Sequence, residues 1–153
     1  MKPILLVGGG TGGHIFPLVA LGEELTSRKI PFIFVGGRDG KEREIVFEYG
    51  WPWRSISVGK WRRYWNTTAV IQNIVDLDRF IGGFFQSVKL LLQTGSMVIF
   101  SKGGYVALPM VLAARLLGRR IIIHESDSVM GLTNRLSARL ASKILTAFAP
   151  SVF

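Results

Sequence analysis

The feature that most constrains this chain is a short apolar run that breaks directly into glycine: Pro3-Ile-Leu-Leu-Val7 is followed by Gly8-Gly-Gly-Thr-Gly-Gly-His14, five glycines in six residues before the histidine. A continuous apolar run of that length reads as a strand buried on both faces. So dense a glycine cluster excludes an apolar helix through it, so the uncharged stretch from Pro3 to Gly22 is neither a signal peptide nor a spanning segment. The same grammar recurs along the chain. Strands are expected at 3–7, 31–35, 54–58, 97–100, 120–124 and 143–146. Helices are expected at 15–28, 40–49, 67–93 (kinked at Gly82-Gly83), 107–117 and 132–141. Strand and helix alternate throughout, which predicts an α/β fold: a doubly wound, Rossmann-like parallel sheet with helices on both faces.

Composition sets the outer limits. At 153 residues and 48% hydrophobic, the chain suits one domain with a sizeable core. It has no cysteine and only two histidines, His14 and His124, so no disulfide framework and no metal site is expected. The net charge of +9 calls for an anionic partner. Residues 1–80 carry 11 basic and 8 acidic side chains, whereas residues 81–153 carry 8 basic and only Glu125 and Asp127 as acids. No stretch reaches the roughly 18 continuous apolar residues of a spanning helix, so a cytoplasmic protein, peripheral to a membrane, is expected.

In an open parallel sheet, ligands bind at the carboxyl ends of the strands, and three loops there carry unusual chemistry. The first, 8–14, satisfies G-x-G-x-x-G and opens a helix whose free N–H groups and dipole suit a phosphate or diphosphate. No Lys-Ser/Thr pair follows, which excludes a P-loop. His14 at that helix start is expected to be neutral and able to accept a proton. The second loop, Ser101-Lys-Gly-Gly-Tyr-Val106, offers Lys102, Gly103, Gly104 and Tyr105 to an anionic or sugar-bearing ligand. The third, His124-Glu-Ser-Asp-Ser-Val-Met-Gly131, brings an imidazole and two carboxylates; Glu125 or Asp127 is suited to general-base work or to binding a sugar hydroxyl. A dinucleotide site of NADP type is the alternative. An NAD site wants an acid at the end of the second strand, where this chain reads Gly36-Gly37-Arg38.

A separate surface is marked by Lys60-Trp-Arg-Arg-Tyr-Trp65, which interleaves cations with aromatic rings. Trp61, Arg62, Arg63 and Trp65, with Phe84 and Phe85 on the helix that follows, are candidates for contact with an anionic membrane surface. Stacking on single-stranded nucleic acid is the lesser alternative, disfavoured by the sheet architecture.

Together, GGGTGGHIFP (8–17), GGYVALP (103–109), VLAARLLG (111–118) and IIIHESDSVMGLTNRLSARLA (121–141) resemble the N-terminal half of the MurG-type glycosyltransferases, glycosyltransferase family 28 with a GT-B fold. The resemblance implies an N-acetylglucosaminyltransferase that moves N-acetylglucosamine from UDP-GlcNAc to a polyprenyl-diphosphate-linked sugar acceptor, lipid I to lipid II in peptidoglycan synthesis, at the cytoplasmic face of the membrane. It implies that Gly9, Gly10, Thr11, Gly12 and Gly13, with Lys102, Gly103, Gly104 and Tyr105, cradle the acceptor diphosphate. His14 or Glu125 would be the general base, with Asp127, Asn134 and Arg135 shaping the site. No cofactor is implied. Two places depart from the family pattern: Ser126-Asp127 stands where the family has Gln-Asn, and Ala107-Leu108 where it has Ser-Gly. Residues 1–147 then form the acceptor-binding domain and 148–153 the start of an interdomain connection. The domain that binds UDP-GlcNAc would be absent, supplied by a C-terminal half or a partner subunit. A non-catalytic docking subunit of a split enzyme is the remaining alternative.

Overall fold

The computed structural model describes all residues except 11, 39, 41, 60–66 and 149–153; of 67–75 it describes the backbone alone. Six strands, β1 (Ile4–Gly8), β2 (Phe32–Gly37), β3 (Trp53–Ile56), β4 (Val98–Gly103), β5 (Arg120–Glu125) and β6 (Lys143–Thr146), form one sheet in the order β3-β2-β1-β4-β5-β6. Every pairing is parallel. Five helices connect them: α1 (Gly12–Ser27), α2 (Glu42–Glu48), α3 (Thr67–Thr94), α4 (Ala107–Leu116) and α5 (Leu132–Ala138). The doubly wound sheet read from the sequence is therefore present, with each element within a few residues of its expected bounds.

Alternation along the strands divides the core into two layers. Leu5, Val7, Ile99, Ile121 and Ile123 point to one face, where α3 contributes Leu90 and Leu91 and α4 contributes Met110, Val111, Ala113 and Ala114. Leu6, Phe32 and Phe34 point to the other, against Leu18 and Leu25 of α1 and Val46 of α2. Trp51 stacks on Phe34 there, with ring centroids 5.6 Å apart.

At Gly82-Gly83 the structure gives the second glycine a packing role. A single 28-residue helix runs through the pair. Gly83 is buried against the Ser57 carbonyl, which occupies the place of a side chain. The glycine lets α3 approach the chain leaving β3, and Gln86 completes the contact by accepting the Ser57 N–H at 2.7 Å.

The order of strands creates the site. From β1 the chain winds outward through β2 to β3, then returns across the sheet to β4 on the other side of β1. The loops after β1 and β4 therefore diverge at a topological switch point, where an open α/β sheet offers its crevice. The loop after β5 adjoins them.

Candidate functional site

Three glycines give the crevice its shape. Gly10 (φ +100°), Gly103 (φ +98°) and Gly104 (φ +80°) occupy the left-handed region, which side chains other than glycine rarely adopt. Gly104 also lies against the Gly9 carbonyl, so the two glycine loops meet there backbone to backbone. The Tyr105 ring covers Gly10, with Cε1 2.8 Å from where a Cβ would stand, and its hydroxyl reaches Gly37 at the end of β2. Gly12, Gly13 and His14 form the first turn of α1, whose leading N–H groups lack intrahelical acceptors. Thr11 lies outside the described residues.

On the α1 side of the crevice sits Lys102, whose side chain is 1% exposed. Its Cβ and the His14 carbonyl both lie within 3.4 Å of the position of a Cβ on Gly8, so β4 and the start of α1 meet there. No ion pair to Lys102 forms among the described residues. Its charge is felt by both histidines. Burial, then Lys102, holds His14 below the usual imidazole range, with Asp127 and Glu125 opposing. Burial and Lys102 likewise lower His124, again against Glu125. His124 stands on the same side of the sheet, its ring 6.0 Å from that of Phe100. The crevice thus holds a buried lysine beside two imidazoles whose protonation burial and that lysine both disfavour.

Glu125 does different work. It is the last residue of β5 and accepts three hydrogen bonds: from the Asn134 amide at 3.0 Å, the Asp127 N–H at 3.1 Å and the Gly131 N–H at 3.2 Å. Burial opposes its ionisation, but these donors and Lys102 outweigh that and hold its carboxyl below the usual range. Such a carboxylate is a poor proton acceptor and a good staple, folding the third loop onto the start of α5. Asn134, buried, also donates toward the carbonyls of Lys102 and His124, both at 3.4 Å. Its Oδ1 occupies the space beside Gly103 and finds no donor among the described residues. Asp127 and Arg135 are exposed on the rim.

The membrane-facing candidates divide. Trp61, Arg62, Arg63 and Trp65 lie outside the described residues. Phe84 is partly buried and packs on the core, whereas Phe85 is 64% exposed. It continues a stripe of exposed apolar side chains, Leu77, Ile81, Phe85 and Leu92, along α3. No helix among the described residues is long and apolar enough to cross a membrane.

One participant escaped the reading of the sequence. Glu42 falls in the first turn of the helix expected over 40–49, where an acid is ordinary. In the structure it is buried, and its Oε1 accepts the Gly37 N–H at 3.2 Å. A helix-start acid and an inward-turned acid look alike in one dimension.

Comparison with known proteins bears on the whole arrangement. Residues 4–146 match the glycosyltransferase family 28 N-terminal domain. The chain is 42% identical over 148 residues to the UDP-N-acetylglucosamine–N-acetylmuramyl-(pentapeptide) pyrophosphoryl-undecaprenol N-acetylglucosamine transferase of Lachnoclostridium phytofermentans, covering 97% of this chain and 41% of the relative. The protein of the same name from Shouchella clausii is 40% identical over 149 residues, with the same two coverages. The crystal structure of MurG from Acinetobacter baumannii matches with a TM-score of 0.86 at 28% identity, over 100% of this chain and 43% of that one. The Streptomyces glycosyltransferase SsfS6, at 16% identity and a TM-score of 0.56, covering 81% of this chain and 39% of that one, shares the fold alone. The chain spans about two fifths of the length of the curated relatives it matches. With the family match running from β1 to β6, the chain belongs to glycosyltransferase family 28, whose N-terminal domain it carries.

Proposed function

We propose that this chain is the acceptor-binding, membrane-facing half of a glycosyltransferase that moves N-acetylglucosamine from UDP-GlcNAc to a polyprenyl-diphosphate-linked sugar, as the names of its relatives describe for them. The observation that carries this reading is the buried Lys102 at the switch point, beside two glycine loops and the start of α1. Among the described residues no carboxylate lies within ion-pair distance of Lys102, and a buried ammonium is costly unless an anion neutralises it. A diphosphate bridging the loops meets that requirement, held by Lys102, by N–H groups of the first turn of α1 and by the backbone around Gly103 and Gly104.

His14 is the base in this reading. Kept neutral at physiological pH, it takes the proton from the acceptor hydroxyl as that oxygen attacks the anomeric carbon of the donor sugar. The bond from that carbon to the diphosphate oxygen breaks, and UDP leaves with the electron pair. The donor is held by a second half of the enzyme. Glu125 and Asn134 keep the third loop in place, and Asp127 and Arg135 contact the sugar or peptide from the rim.

The exposed stripe on α3, with the Lys60–Trp65 segment just before it in sequence, faces an anionic membrane surface at the cytoplasmic side and brings the crevice to a lipid-linked substrate.

The test is transfer by this chain joined to the C-terminal half of the Lachnoclostridium phytofermentans relative, with lipid-linked acceptor and UDP-GlcNAc. His14→Ala is expected to lower kcat at least a hundredfold with little change in the KM for UDP-GlcNAc. Unchanged turnover in that variant would remove His14 from the chemistry.

A further inference from the structure

Glu42 opens α2, where an acid ordinarily stays in water and complements the helix dipole. Here it is 3% exposed. Its Oε1 accepts the Gly37 N–H at 3.2 Å. The same carboxylate fills the space beside Gly40 and beside Gly9, so that a Cβ at either glycine would overlap it. Gly9 does not have a left-handed φ. Its lack of a side chain therefore answers to crowding, by Glu42 and by Val106, whose Cγ2 is 3.2 Å from the place of a Cβ. One carboxylate thus touches the end of β2, the loop before α2 and the glycine loop after β1. No ion pair to it forms among the described residues. Burying a charge with so little compensation is unfavourable, and a carboxylate in such a place calls for a reason beyond helix formation.

We propose that Glu42 is a positioning residue: it wedges the first glycine loop from behind and ties it to the end of β2, fixing the loop's backbone for the diphosphate. The inference rests on the diphosphate reading above. Because the wedge works by shape and by one accepted hydrogen bond, Glu42→Gln preserves it, Glu42→Asp withdraws it from Gly9 and Glu42→Ala removes it. A side chain at Gly9 disturbs the loop mainly by striking Glu42, so the two sites are coupled.

The experiment is calorimetric titration of the 153-residue chain with inorganic pyrophosphate, with thermal melting of each variant alongside. Glu42→Gln is expected to bind within twofold of the parent chain or more tightly. Glu42→Asp is expected to bind about fivefold more weakly, and Glu42→Ala at least tenfold more weakly. Gly9→Ala is expected to weaken binding similarly, and Gly9→Ala/Glu42→Ala to be less impaired than the product of the single effects. If Glu42→Ala does not fold, Glu42→Asp and Glu42→Gln carry the test. A lower melting point with unchanged affinity in the Asp or Ala variant would overturn the proposal, as would a tenfold loss in Glu42→Gln or multiplicative effects at positions 9 and 42. A parent chain that ignores pyrophosphate would overturn the diphosphate reading together with this one.

Discussion

Three donors converge on the Glu125 carboxylate, and that convergence separates two acids and bases that sit side by side in the chain. His124 and Glu125 are consecutive, yet strand alternation sends them to opposite faces of the sheet. Removing the Glu125 carboxylate strands two backbone N–H groups and takes from the Asn134 amide its shortest hydrogen bond, and Glu125→Ala is expected to lower stability by about 1–3 kcal/mol, read from urea unfolding. Its pH signature follows from sign. The folded pKa lies below the unfolded value, so this stabilisation is present above the unfolded value and is lost as pH falls through the folded one. Glu125→Ala therefore flattens the acid limb of the stability profile. For His14, burial and then Lys102 outweigh Asp127 and Glu125, and the lowered pKa places the acid limb of a base-dependent rate below the ordinary imidazole value of 6.5. Lys102→Met takes away one of the two causes of that lowering, so the limb moves toward higher pH in kcat profiles of the joined enzyme. A limb that stays in place would separate Lys102 from His14.

Adjacent residues on α3 make the contrast at the scale of the element. Phe84 and Phe85 touch edge to face, with centroids 5.4 Å apart, but one packs inward and the other outward. Phe85→Glu is expected to abolish co-sedimentation with vesicles containing anionic phospholipid and leave melting unchanged, whereas Phe84→Ala lowers the melting temperature by several degrees. Vesicle binding that survives Phe85→Glu together with Ile81→Glu would move the membrane surface elsewhere. In the sequence the two phenylalanines are indistinguishable, because a helix this apolar offers several stripes and only the packing of α4 against it selects one. The glycines of α3 teach the same lesson. Gly82-Gly83 suggests a kink, while the requirement met at Gly83 is a neighbour's carbonyl, a contact between residues far apart in the chain. The strands, by contrast, were legible throughout. The four central strands, β1, β2, β4 and β5, each contain an apolar run and are largely buried, whereas at the edges β3 is half exposed and β6 exposed throughout.

For the molecule as a whole, the alternation of elements made the doubly wound sheet legible, and the glycine loops marked the crevice before any coordinates. What alternation leaves open is which loops become neighbours. The order β3-β2-β1-β4-β5-β6 settles that by bringing loops some ninety residues apart into backbone contact at Gly9 and Gly104. Lys102 is buried where those loops close and Glu42 turns inward between the ends of β1 and β2, and neither has a local signature. Gly104→Ala combines a left-handed φ with a clash against the Gly9 carbonyl. It is expected to cost about 1–3 kcal/mol of stability in chemical denaturation, and a variant as stable as the parent would contradict the close approach of the loops. Whether the switch-point crevice holds the acceptor's diphosphate is read from calorimetric titration of the chain with a short-prenyl, diphosphate-linked N-acetylmuramoyl pentapeptide. Saturable one-to-one binding is expected, weakened at least tenfold by Lys102→Met and by Gly10→Ala. Binding left intact by both substitutions, or none in the parent chain, would contradict it.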